Sequence, residues 1–233
     1  MMNCGIIVAA GKSERMGVKV DKAFLTLGPK PVLAYSLEAF EACPDIDEVV
    51  LVVRKDRTAN ARSMAQIFGC AKVVRVIAGG AKRQASVMNG LAALSDDARI
   101  VAVHDGARPF VTPELISETV KVARRHGSAV AASRITDTVK YVERGLKVTR
   151  TLNRSKLWAV QTPQTFKIDV LREAFEMVQK KNATVTDEAS AVELAGRDVR
   201  LVETVEPNLK ITTSDDLPVA AALLKLDPMS SPV

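Results

Sequence analysis

With 233 residues, 47% of them hydrophobic and 26% charged, the chain has the balance of a globular protein that buries a core without disulfides. The formal charge of +6 is carried by Lys and Arg spread along the whole chain, and one Trp, two Tyr and six Phe supply few stacking platforms. That pattern argues against nucleic-acid binding and for a site that takes anionic small molecules. The three cysteines, Cys4, Cys43 and Cys70, are far apart and lack metal-ligand spacing, which fits a reducing compartment with Cys4 in the core. The apolar run Cys4–Ala10 is far too short to span a bilayer and no signal peptide is visible, so a cytoplasmic protein with no membrane partner is expected.

In chain order, Cys4–Ala9, Glu48–Arg54, Val73–Ala78, Ile100–His104 and Ala129–Ile135 read as strands, rich in Val and Ile and mostly continuous, as for strands buried on both faces. Pro31–Cys43, Thr58–Phe68, Arg83–Leu94 and Pro113–Arg125 read as the intervening helices, the last with Thr112 as N-cap and Pro113 at its first position. Alternating strands and helices predict a Rossmann-like three-layer α/β fold around a mostly parallel sheet. At about Thr136 the pattern breaks. Residues 136–153 alternate around Glu143-Arg144-Gly145 and predict an inserted β-hairpin arm, either a lid or subunit-exchange element or a plain edge hairpin. After the arm come a strand at Leu157–Val160, helices at Val170–Lys180 and Asp187–Leu194, a strand at Val199–Val205 and a helix at Asp215–Leu226 capped by Ser214. Residues 1–226 therefore form one domain, with a flexible tail at 227–233.

Several strand ends carry residues suited to anion chemistry. The first strand runs into Ala9-Ala10-Gly11-Lys12-Ser13-Glu14-Arg15-Met16, and Lys12, Arg15 and Lys22 place cations around that loop. Ligands bind at the carboxyl ends of strands in such sheets, and small residues let backbone N–H groups approach a phosphate. The loop is neither a GxGxxG fingerprint nor a P-loop, which disfavours NAD binding and P-loop ATPase chemistry. His104-Asp105-Gly106-Ala107-Arg108-Pro109 follows another strand; Asp105 reads either as a ligand for Mg²⁺ or another hard divalent cation, or as the centre of an Asx turn. His104 reads as a packed residue, because no Ser or Cys nucleophile motif accompanies it. Gly79-Gly80-Ala81-Lys82-Arg83-Gln84-Ala85-Ser86 is either a base- or phosphate-binding loop or a simple Gly–Gly helix entry. Gln161-Thr162-Pro163-Gln164 follows a strand, Thr186-Asp187-Glu188-Ala189-Ser190 reads as a helix start with Thr186 as cap, and Lys210 sits in an apolar strand within Asn208–Thr212, where it needs a partner or a ligand.

Taken together and in order, these segments resemble the 2-C-methyl-D-erythritol 4-phosphate cytidylyltransferase family, over nearly the whole chain from Ile6 to about Leu224. The resemblance rests on Ala9–Met16, Lys22, Gly79–Arg83, His104–Pro109, Asp137-Thr138, Arg154 with Leu157-Trp158, Thr162–Gln164, Thr186–Ser190 and Lys210. Ser13, Asp21, Ala23 and Ala81 depart from the family pattern. The resemblance implies a nucleotide-diphospho-sugar transferase type of fold and transfer of CMP from CTP to a phosphorylated polyol. It implies that Arg15 and Lys22 hold the triphosphate, that Ala9, Ala10, Gly11, Gly80, Ala81 and Ser86 bind the nucleotide, that Asp105 holds Mg²⁺, and that Asp105, Arg108, Thr138, Arg154, Thr162 and Lys210 hold the acceptor. A homodimer through the β-arm is implied as well. A ribitol 5-phosphate cytidylyltransferase shares most of these motifs, and a molybdenum-cofactor type nucleotidyltransferase shares the first loop and lysine. A non-catalytic nucleotide-binding module is a reading of another class.

Overall fold

The computed structural model describes residues 2–11 and 21–225. Lys12, Ser13, Arg15 and Met16 of the first loop, and the tail from Leu226, lie outside the described residues. Eight residues, Met2–Ala9, form β1, an interior strand of a seven-stranded sheet, while β2 (Thr26–Leu27) and β3 (Lys30–Pro31) pair in a separate two-stranded ribbon. β4 (Glu48–Val53) and β6 (Ala98–Asp105) flank β1 in parallel, and β5 (Val73–Ala78) extends the β4 side. On the other side the order continues through β10 (Trp158–Lys167) and β7 (Ser128–Arg134) to β11 (Leu201–Glu203). β10 runs antiparallel to both its neighbours, and β11 is parallel to β7. The sheet is thus mostly parallel, with a single reversed strand.

Two packed faces follow from the period of two along each strand. Ile7, Ala9, Val49, Leu51, Val53, Ile100 and Ala102 face one way, against helices α1 (Val32–Ala42), α2 (Thr58–Ile67) and α4 (Pro113–His126). Cys4, Ile6, Val8, Val50, Val52, Val101 and Val103 face the other, against α3 (Arg83–Ala92), α5 (Ile168–Lys180) and α6 (Glu188–Leu194). Because both faces bury apolar side chains, the strands read as continuous Val/Ile runs and not as alternating ones. Thr112 caps α4 as expected, accepting from Leu115 N, and Gly127 ends that helix at φ 93°. The arm is a hairpin of β8 (Lys140–Val142) and β9 (Val148–Thr151), turned at Gly145 with φ 58°.

Four local expectations need correction. The strand read at Leu157–Val160 is the first part of the longer β10, so Gln161–Gln164 lies within a strand and not after one. Pairing to β7 slips between Val160 and Gln164, where Pro163 has no N–H to give the ladder. Asn208–Thr212 is an irregular segment, not a strand, held by side-chain and loop contacts described below. The cap of α6 is Asp187, which accepts from Ser190 N; Thr186 instead shares a hydroxyl contact with Ser190 Oγ at 3.3 Å. The last helix, α7 (Asp216–Leu223), is preceded by Asp215 in a helical conformation, and Ser214 Oγ donates to the Asp215 carboxylate and makes no cap.

Candidate active site

Asp105 closes β6, and its carboxylate is the point on which the late and early segments converge. Arg83, from the first turn of α3, donates through Nε to Asp105 Oδ1 at 3.1 Å. Lys210 Nζ donates to Asp105 Oδ2 at 2.6 Å. Arg108 Nε lies 3.9 Å from the same Oδ2. Burial raises the Asp105 pKa, but Arg83 and then Lys210 more than offset this and hold the carboxyl well below the usual range. The group is an anion at any working pH.

The wall beside it is a chain of internal hydrogen bonds. The backbone N–H of Asp105 donates to Thr162 Oγ1 at 3.0 Å, and Thr162 Oγ1 lies 3.1 Å from His104 Nδ1. His104 Nε2 faces the Arg108 carbonyl at 3.3 Å. A carbonyl can only accept, so Nε2 carries the proton and Nδ1 takes the Thr162 hydroxyl hydrogen. His104 is fully buried, and burial, with Arg108 nearby, pushes its pKa down to about 3 against the pull of Asp105. The imidazole is therefore neutral and packed, as the sequence implied.

The late segment reaches the site by latches that no local pattern announces. Arg108 Nη1 donates to Asn208 O at 2.7 Å, Asn208 Nδ2 donates to Thr162 O at 2.8 Å, and Ile211 N donates to Ala107 O at 2.8 Å. Those three bonds place Lys210 over Asp105. Of the residues assigned to the acceptor, the structure thus brings together Asp105, Arg108, Thr162 and Lys210. Thr138 and Arg154 are exposed on and beside the arm; Arg154 Nη1 donates to Thr136 O, and among the described residues no hydrogen bond or ion pair joins either of them to Asp105.

The nucleotide side is equally close-packed. A Cβ on Gly79 would meet Ala10 Cβ at 2.4 Å and Ser86 Oγ at 2.7 Å, so the loop after β5 packs against the Ala10 and Ser86 side chains with no room for one of its own. Gly80 N donates to Ser86 Oγ at 3.1 Å, and Ser86 Oγ donates to Lys82 O at 3.2 Å. Gly106 N donates to Val8 O at 3.0 Å, fixing the β6 end against the β1 end. Ala9, Ala10, Gly11, Gly80, Ala81 and Ser86 therefore lie along adjoining strand ends, with Gly11 exposed and Ser86 buried. Lys22 opens a single 3₁₀ turn, Lys22–Phe24, capped by the Asp21 carboxylate. Asp21 is buried, which raises its pKa against the opposing Ala23 N–H.

Three participants lie within the motifs quoted above, but nothing in the sequence announces the contacts they make. Arg83 was legible only as the last residue of a Gly-Gly motif. Glu188 read as an acid favoured by a helix dipole, yet it is 1% exposed and bonded to Arg83 Nη1 through both oxygens, at 2.6 and 2.8 Å. Gln164, also buried, donates to Asp187 Oδ2 at 2.8 Å and accepts from Ala189 N at 2.9 Å, clamping the start of α6 to β10. An apolar strand–helix pattern says nothing of such contacts, because their partners lie 22 to 105 residues away.

A family model described as 2-C-methyl-D-erythritol 4-phosphate cytidylyltransferase matches residues 3–226. A protein of that name from Alkaliphilus oremlandii is 41% identical over 221 residues, covering 94% of each chain. One from Pelotomaculum thermopropionicum is 42% identical, covering 94% of this chain and 93% of its own. Among solved structures, the 4-diphosphocytidyl-2C-methyl-D-erythritol synthase of Anaerococcus prevotii aligns over 96% of both chains with TM-score 0.86 and 31% identity. The 2-C-methyl-D-erythritol 4-phosphate cytidylyltransferase of Francisella tularensis aligns over 96% of this chain and 100% of its own, with TM-score 0.80 and 31% identity. The chain belongs to the 2-C-methyl-D-erythritol 4-phosphate cytidylyltransferase family.

Proposed function

We propose that the chain transfers CMP from CTP to 2-C-methyl-D-erythritol 4-phosphate, releasing pyrophosphate and forming the CDP-linked polyol of isoprenoid synthesis. The observation that carries this reading beyond the family match is the ionised Asp105 at the carboxyl edge of the sheet, flanked by Arg83, Lys210 and Arg108. A phosphate oxygen of the polyol phosphate attacks the α-phosphorus of CTP in line and the P–O bond to pyrophosphate breaks. Such transfers depend on positioning and charge neutralisation more than on a covalent enzyme intermediate. Lys and Arg side chains around an anionic substrate pair are the residue types that do this.

Within that reading, Arg15 and Lys22 hold the triphosphate and stabilise charge on the transferred phosphoryl group. The close-packed backbone at Ala9, Ala10, Gly11, Gly80 and Ala81, stiffened by Ser86, receives the nucleoside. Lys210 binds the acceptor phosphate, and Thr162 contributes by fixing the Asp105 backbone while keeping one lone pair for a ligand. Arg108 latches the Lys210 segment. A single hard carboxylate completed by substrate phosphates is the usual protein share of a Mg²⁺ site, and Asp105 fits it. When bound, Mg²⁺ would neutralise phosphate charge and clamp its geometry.

Thr138 and Arg154 serve the acceptor of a second subunit, with the arm as the dimer contact. Exposed Tyr141, Val142, Leu146 and Val148 on the hairpin support that reading, since an isolated hairpin gains nothing from apolar residues in water. Three free buried cysteines support a cytoplasmic location; among the described residues no helix is long and apolar enough to cross a membrane.

The test is pyrophosphate release from CTP and Mg²⁺ with methylerythritol phosphate and ribitol 5-phosphate supplied separately. Turnover with the first acceptor is expected. Turnover with ribitol phosphate alone would move the substrate, and CTP binding without any turnover would return the chain to a nucleotide-binding module.

A further inference from the structure

Glu188 stands behind the site, bonded to Arg83, with no hydrogen bond or ion pair to Asp105 or Lys210 among the described residues. It is the first residue of α6, and a carboxylate in a helix's first turn ordinarily faces water, where it interacts with the helix dipole. Here it is buried, and Arg83 is its hydrogen-bonding partner. The geometry of the shared guanidinium is what gives this burial a consequence. Arg83 Nη1 is committed to both Glu188 oxygens, while Nε at 3.1 Å and Nη2 at 3.1 Å converge on one oxygen of Asp105, Oδ1. The other oxygen, Oδ2, is thereby left to Lys210 at 2.6 Å.

Burial of the Arg83–Glu188 pair is weak evidence for a role in stability alone. Buried ion pairs can often be replaced by apolar groups without loss, because desolvation consumes the Coulombic gain. A guanidinium deprived of one of two carboxylates would take the remaining one with both of its N–H arms, the preferred bidentate fit. Arg83 would then cover both oxygens of Asp105 and displace Lys210. The position of Glu188 is itself fixed from outside α6, by the Gln164 clamp on Asp187 and Ala189.

We propose that Glu188 is a positioning residue for the transfer reaction: by engaging Arg83 it restricts that arginine to one oxygen of Asp105 and so keeps Lys210 aligned on the other. This rests on the assignment of Asp105 and Lys210 to the acceptor side given above.

The experiment uses the full chain in the pyrophosphate-release assay, with Glu188→Gln, Arg83→Gln, the double variant, Glu188→Asp and Asp105→Asn, each also melted. Glu188→Gln is expected to lower kcat/KM for the polyol phosphate about ten- to hundred-fold, the usual effect of losing a residue that orients a site group, with KM for CTP unchanged. The double variant should be no worse than Arg83→Gln alone, because Glu188 acts through that arginine. Should Glu188→Gln fail to fold, Glu188→Asp decides, since it keeps the charge one methylene short: a loss in the polyol phosphate kcat/KM at a native melting temperature is expected. Wild-type kcat/KM in whichever Glu188 variant folds, or fully additive losses in the double variant, would overturn the proposal. An unimpaired Asp105→Asn would instead sink the site assignment itself, whereas an impaired Asp105→Asn beside an unimpaired Glu188 variant sinks only the positioning role.

Discussion

At the scale of single residues, the site is a problem in placing charges. Lys210 is about a third exposed and its partner Asp105 keeps Arg83 when the lysine is removed. Lys210→Ala should therefore cost little stability but lower turnover on the order of 10²–10³-fold, the scale of losing one well-placed electrostatic donor. Steady-state kinetics beside a melting curve separates the two effects, and normal turnover would remove Lys210 from the reaction. The cysteines give the opposite expectation. Burial first, with Glu48 and Asp47 adding to it, pushes the Cys4 thiol up to about 12; burial and Glu41 push Cys70 up to about 11. Both should resist alkylation by iodoacetamide at pH 8 in the native protein and react once it is unfolded, which mass spectrometry reads directly.

Elements are positioned by contacts at their ends and by close approaches in their middles. Asp187 caps α6 and accepts from Ser190 and Gln164. Burial raises its pKa, but those hydrogen bonds stabilise the anion and leave the carboxyl lower than usual. A carboxyl depressed on folding contributes stability above its unfolded pKa of about 4, and that contribution fades as pH falls through the lower folded value. Asp187→Ala should cost about 1 kcal/mol near neutrality, with the deficit shrinking in acid; a deficit constant with pH would show that the charge is not what matters. Gly90 illustrates the other kind of constraint. It lies inside α3, where glycine weakens a helix, yet a Cβ there would meet Ile6 Cγ2 at 2.7 Å and Val52 Cγ2 at 3.3 Å. Gly90→Ala should destabilise by about 1–3 kcal/mol through overpacking in spite of its better helix propensity. A stabilised variant would mean that the sheet yields there.

For the whole molecule, the arm is the feature out of keeping with the packed sheet. Leu146 at its tip is 98% exposed. If the arm is the dimer contact, Leu146→Asp should shift the sedimentation coefficient toward the monomer and lower activity together, because Thr138 and Arg154 would lose the partner's site. A monomeric wild-type protein with full activity would end that reading.

How much of this was legible beforehand depended on the range over which each feature is decided. Val/Ile runs separated by helix-length segments specified the parallel three-layer fold, because burial on both faces of a strand and period-3.6 packing are local properties of composition. Thr112, Gly145 and the buried Cys4 were readable for the same reason. The reversed direction of β10, the irregular path of Asn208–Thr212 and the cap at Asp187 in place of Thr186 were not, since each is settled by a partner far along the chain. The sequence by itself determined the fold class, the family and the cluster of residues at the strand ends. Only the tertiary structure decided that Asp105 shares its two oxygens between Arg83 and Lys210 and that Glu188 stands buried behind Arg83. Charge pairing acts through space at about 3 Å, and only folding brings residues 83, 105, 188 and 210 within that distance.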